Sequence, residues 1–160
     1  MPQLEERDGS DEGLRSSTPP ARFAPVARWT LSTAREIRTL RERLRETMGL
    51  ADTPPHGGLG HVPERMLLVA SELAANALEH GRPPTIVTLR FDGTRYLLEV
   101  ADHDPDSTPV LAGRRGPGAG GFGLQIARRL GQEVGWYTTG TTKHIWVTFL
   151  PDDQGQPRSP

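Results

Sequence analysis

The stretch ERMLLVASELAANALEHG, residues 64–81, decides the architecture. Met66, Val69, Ala70, Leu73, Ala74 and Ala77 recur at spacings of three and four, the period of one helical face. Pro63 suits a first helical position, and Gly81 suits the residue after the last. The pattern predicts a helix from near Pro63 to Gly81 with one buried arc. Its flank carries a second pattern. Glu72, Asn76 and His80 stand at i, i+4 and i+8, a polar stripe beside the apolar arc. A carboxylate and an amide at such an edge need partners, because burying them alone is costly. A neutral amide oxygen suits a hard cation near phosphate. A carboxylate one turn away suits proton abstraction from a hydroxyl. An amphipathic helix with a polar flank and no ligand accounts for the same residues, and His80 fits a role at the helix C-terminus.

On either side of this helix the period changes. Downstream, TIVTLRF (85–91) and RYLLEVAD (95–102) alternate as strands, with Asp92-Gly93 between them as a hairpin signal. Tyr96, Leu98 and Val100 share a face, and Asp102 ends it. A carboxylate there can accept a hydrogen bond from a flat apolar ligand with an exposed N–H, such as adenine's amino group. It can also simply turn the chain. FGLQIARRL (122–130) predicts a third helix, with Leu124, Ile126, Ala127 and Leu130 on its apolar side. EVGWYTT and KHIWVTFL, joined through Gly140, predict a closing hairpin. Upstream, VARWTL (26–31) has the length and apolar content of a strand. A helix follows, with a Thr33–Glu36 capping box, a stripe of Ile37, Leu40, Leu44 and Met48, and a stop at Gly49. Residues 51–61 are a Pro/Gly loop. The order predicts an α/β (α+β) two-layer sandwich: a mixed, largely antiparallel sheet with helices on one face.

Gly113, Gly116, Gly118, Gly120, Gly121 and Gly123 crowd the loop before the third helix. Bare backbone approaches phosphate closely, a helix N-terminus favours anions, and Arg114 and Arg115 add charge. Gly118-x-Gly120-x-x-Gly123 has the spacing of a dinucleotide fingerprint. However, a polar loop rather than a strand precedes it, and about 20 residues on stand Thr142 and Lys143 instead of an acid. A flexible connector is the alternative account of the same glycines, but they end where an amphipathic helix begins, which favours phosphate binding. DHDPD (102–106) resembles a calcium loop only superficially, because Ser107 and Gly113 occupy the positions that need Gly and Glu.

Composition narrows the classes. The 160 residues include 19 basic and 20 acidic side chains, a net charge of −1, which forces no basic face for nucleic acid. There is no cysteine, which excludes disulfides, thiolate zinc sites and a cysteine nucleophile. No apolar run approaches the ~18 residues of a membrane span. The acidic start MPQLEERDGSDEGL lacks the pattern of a secretory signal. The expectation is a soluble cytoplasmic protein without membrane or direct nucleic-acid contact. One domain, 24–150, is expected between disordered tails at 1–23 and 151–160.

Together ELAANALEHG (72–81), EVADHDPD (99–106), GAGGFGLQIARRL (118–130) and GTTKHIWVTFL (140–150) resemble the GHKL nucleotide-binding superfamily of gyrase, sensor histidine kinases and mismatch-repair ATPases. Their order and spacing are most similar to its bacterial anti-sigma-factor serine/threonine kinase branch. The resemblance implies a Bergerat-type fold with ATP and Mg2+ as cofactors. It implies Glu72 as general base, Asn76 as magnesium ligand and Asp102 as the acceptor for the adenine amino group. It implies Gly118, Gly120, Gly121, Gly123 and Leu124 as the nucleotide-side glycine box, and Thr142 near the adenine end. The implied activity is transfer of the γ-phosphate to a Ser or Thr of an anti-sigma-factor antagonist. A sigma factor is the implied second partner, and a homodimer the implied assembly. One departure stands out. The family's first glycine box, Asp-x-Gly-x-Gly, here reads Asp102-His103-Asp104-Pro105-Asp106. Two other functions fit the sequence: a catalytically weak or inactive partner-binding module of the same fold, and a histidine-kinase catalytic domain acting on a separate protein.

Overall fold

The computed structural model describes residues 16–48, 62–106 and 123–150. Its strands are β1 (Ala24–Leu31), β2 (Thr85–Phe91), β3 (Tyr96–Asp102), β4 (Glu133–Thr138) and β5 (Lys143–Phe149), and its helices are α1 (Ile37–Thr47), α2 (Val62–His80) and α3 (Gly123–Leu130). The five strands form one sheet in the order β1-β2-β3-β5-β4, with every neighbouring pair antiparallel. The expected mixed sheet is thus antiparallel among its named strands. A single parallel bridge joins Ser16 to Trp136 at the β4 edge.

Register follows the alternation of the sequence. Val87 lies opposite Val100, Leu98 opposite Val147, and Val100 opposite Ile145. These residues share a face because side chains alternate across a strand. The helices cover that face, where Val87, Leu89, Leu98, Val100 and Val147 meet Leu40, Leu44, Met66, Val69, Leu73, Leu124 and Ala127 in one core. The predicted arc of α2 is buried from Met66 to Ala74, with Ala77 packed at its edge.

Two local signals act as the sequence suggests. Glu36 accepts the backbone N–H groups of Ser32 and Thr33, completing the capping box at a short 3-10 turn (Ala34–Glu36) ahead of α1. In the β2–β3 hairpin, the Asp92 carboxylate accepts the N–H groups of Thr94 and Arg95, and Gly93 takes φ +98°. That conformation favours a residue without Cβ.

One boundary differs. The tail expected through residue 23 contributes to the fold from Ser16 onward. Phe23 is 3% exposed and packs with Leu97 and Trp146 on the sheet face away from the helices. The Ser17 N–H donates to the Trp136 carbonyl, and the Trp146 indole N–H donates to the Ser17 carbonyl. Polar composition concealed this segment, because its one large apolar anchor and its backbone bonds carry no periodic pattern. Residues 1–15 and 151–160, the 51–61 loop and the Gly49 stop lie outside the described residues.

Candidate functional site

The end of α2 lies against the end of β3. Gly81, directly after α2, has no Cβ. One added there would fall 2.5 Å from Asp102 Cγ and closer still to Oδ2. The helix therefore ends over the carboxylate because its stop residue is glycine. Asn76 lies five residues earlier and Glu72 four before that, roughly 8 Å and 14 Å along the axis at ~1.5 Å per residue. The polar stripe read from the sequence thus runs along α2 towards Asp102.

Asp102 is 4% exposed. Its Oδ1 accepts the Asp104 N–H at 2.8 Å, and its Oδ2 stands 3.6 Å from Lys143 Nζ. Burial pushes its carboxyl above the ordinary range, while the Asp104 N–H and the Lys143 charge pull the other way. Asp104, one of the acids in the altered box, is itself buried. His103 donates its backbone N–H to the Arg82 carbonyl and its ring Nδ1–H to the Pro84 carbonyl. The box is thereby tied to the chain that leaves α2.

Along the stripe the three residues differ. Asn76 is half-buried, and its side-chain oxygen is fully buried with no hydrogen-bond partner among the described residues. Such an atom is costly unless something binds it. Glu72 is half-buried as well. His80 is exposed, 3.7 Å from Glu79 at the helix end. Among the described residues, no cluster of three His, Cys, Asp or Glu side chains could hold a metal ion. Magnesium usually keeps several waters and takes one or two protein oxygens with substrate phosphates, so a lone amide oxygen such as Asn76 Oδ1 fits its habits.

On the α3 side, Gly123 is the first helical residue, and Leu124 is buried in the core. Gly118, Gly120 and Gly121 lie outside the described residues.

Thr142 lies directly before β5, next to Lys143. Its hydroxyl is 2.8 Å from His144 Nε2, and His144 Nδ1 is 2.7 Å from Glu99 Oε2. Glu99 alternates with Val100 and Leu98, so this chain of bonds lies on the face away from the helices. The residue paired with Asp102 across the strands is Lys143.

The same outer face holds a cluster the sequence reading missed. Glu99, 3% exposed, accepts the Tyr137 hydroxyl and the Arg90 Nε–H in addition to His144. Tyr137 stacks on the His144 ring at 4.4 Å. Burial raises the Glu99 carboxyl, but the His144 and Tyr137 hydrogen bonds and the Arg90 charge outweigh it, so the group lies below its ordinary value. Burial and the neighbouring carboxylate hold the Tyr137 phenol protonated far above its usual range. Cross-strand register brings these residues together, and no local motif marks it.

A family model described as a histidine kinase-like ATPase domain matches residues 17–149. No curated protein matches the chain. No helix among the described residues is long and apolar enough to cross a membrane.

Proposed function

The chain belongs to the histidine kinase-like ATPase domain family, and from that premise we propose that it is a magnesium- and ATP-dependent protein serine/threonine kinase. Its substrate in this reading is an anti-sigma-factor antagonist, its second partner a sigma factor, its assembly a homodimer and its compartment the cytoplasm. The observation that carries the reading is the buried Asn76 oxygen without a partner, one turn beyond Glu72 on the helix that ends over Asp102.

In this reading Asn76 would hold magnesium, which when bound neutralises phosphate charge. Asp102 accepts an N–H of the base. Glu72 takes the proton of the incoming hydroxyl as it attacks in line, and the remaining catalysis is positioning. The pocket is tested by calorimetric titration of the full chain with ATP, with and without magnesium. Parent protein is expected to bind with magnesium, and Asn76→Ala to lose the magnesium-dependent part. Equal magnesium dependence in both would overturn the assignment of Asn76. Glu72→Ala is expected to abolish transfer to a serine-bearing antagonist while still binding nucleotide, and transfer at the parent rate would remove Glu72 from its role. Acid-stable product separates phosphoserine from phosphohistidine.

A second reading, a partner-binding module with little or no turnover, draws on the altered box. Buried Asp104 stands beside Asp102 where the resemblance calls for glycine, and its charge opposes ionisation of Asp102. Nucleotide binding without turnover in the presence of a cognate antagonist would favour it.

A further inference from the structure

The candidate site carries two opposite charges at the end of the β3–β5 pairing. Lys143 opens β5 and lies across from Asp102, the last residue of β3. Alternation puts it on the helix-covered face with Ile145 and Val147. It is 9% exposed, which is unusual for a lysine unless it is paired. Among the described residues its ion-pair partner is Asp102, at 3.6 Å. That separation is longer than a good hydrogen bond. Oδ1 of Asp102 is already engaged by the Asp104 N–H, whereas Oδ2 has the ammonium at ion-pair distance. The pair therefore sets an acceptor and a strong donor side by side, at ion-pair distance.

We propose that Lys143 is a base-reading residue that admits 6-oxopurine nucleotides, guanine nucleotides above all, alongside adenine nucleotides; this rests on the nucleotide-site reading above. A carboxylate alone favours a purine with an amino group at position six and repels a carbonyl there. With Lys143 beside it, the 6-oxo group accepts from the ammonium, and the adjacent N1–H and 2-amino group donate to Asp102. Adenine meets the same two groups with its edge reversed, positions six and one changing places: its 6-amino group donates to Asp102, and its N1 accepts from Lys143. The carbonyl is the stronger acceptor of the two, and a charged donor to it is among the stronger hydrogen bonds. A site built to bond a substrate group discriminates sharply once that donor is removed.

The test is calorimetric titration of the full chain with magnesium-ATP and magnesium-GTP, repeated on Lys143→Met and Lys143→Gln. Parent protein is expected to bind the two nucleotides within about tenfold of each other. In Lys143→Met, the preference for ATP over GTP should rise at least tenfold, and Lys143→Gln, which keeps a neutral N–H donor, should fall between. The glutamine variant carries the test if the methionine variant does not fold. A parent that binds ATP but not GTP overturns the inference and leaves the nucleotide site standing. An ATP-to-GTP ratio unchanged in both variants removes Lys143 from base reading. A parent that binds neither nucleotide overturns the site reading and this inference with it.

Discussion

Glu99 shows how much a single buried carboxylate can organise. Three side chains from three other strands converge on it: Arg90, Tyr137 and His144. Removing its charge while keeping its shape leaves the Arg90 and His144 donors facing a neutral amide. Glu99→Gln is expected to cost about 1–3 kcal/mol at pH 7, the range for a charged hydrogen-bonding group lost from a buried cluster, read as a lower urea midpoint. The sign with pH follows from the depressed carboxyl. Its contribution is fully present above the ordinary glutamate value of 4.5 and is lost as pH falls through the lower folded value. The gap between parent and Glu99→Gln should therefore narrow as unfolding is measured at progressively more acid pH. A gap that is constant or widens would mean that the depression of Glu99 does not stabilise the fold.

At the scale of elements, the contact between the α2 terminus and β3 is the most consequential. Propensity favours the helix, its arc buries it, and Gly81 stops it. The same glycine lets Asp102 sit beneath the helix end. Gly81→Ala would put a methyl group into the carboxylate. Either α2 lifts or Asp102 turns, and overpacking of this kind costs about 1–3 kcal/mol. The expected outcome is a lower melting temperature together with weakened nucleotide binding, because the displaced atom is the base acceptor of the proposed site. A variant that melts like the parent and binds equally well would show that the close approach is not required.

Across the whole molecule, the sheet has two unlike faces. One packs against helices and carries Asp102 and Lys143. The other is covered from Ser16 to Phe23 and holds the Glu99 cluster. Phe23 is the large apolar anchor of that cover. Phe23→Ala is expected to destabilise by about 3–5 kcal/mol, the cost of truncating a buried phenylalanine, and to shift tryptophan emission to the red as Trp146 loses its cover. Nucleotide affinity, measured where the variant remains folded, should match the parent, since the anchor lies on the opposite face. A variant that weakens nucleotide binding without loss of stability would couple the two faces and contradict this separation.

Periodicity alone determined much of this protein. The arc of α2, the alternation of β2 and β3, the Asp92-Gly93 turn and the stripe of Glu72 and Asn76 all follow from local spacing, because burial on one side imposes a period on the chain. Even the face of Lys143 was legible in KHIWVTFL, since it shares the alternation of Ile145 and Val147; Thr142, one residue earlier, falls on the other side. Tertiary structure decided what spacing cannot carry. The antiparallel pairing across β3 and β5 set Lys143 beside Asp102. The register of four strands gathered Arg90, Glu99, Tyr137 and His144, and the return of Ser16–Phe23 over the outer face turned an apparent tail into part of the core. Each joins residues distant in sequence. Their energy comes from pairing buried charge and covering apolar surface, which exists only once the sheet is assembled.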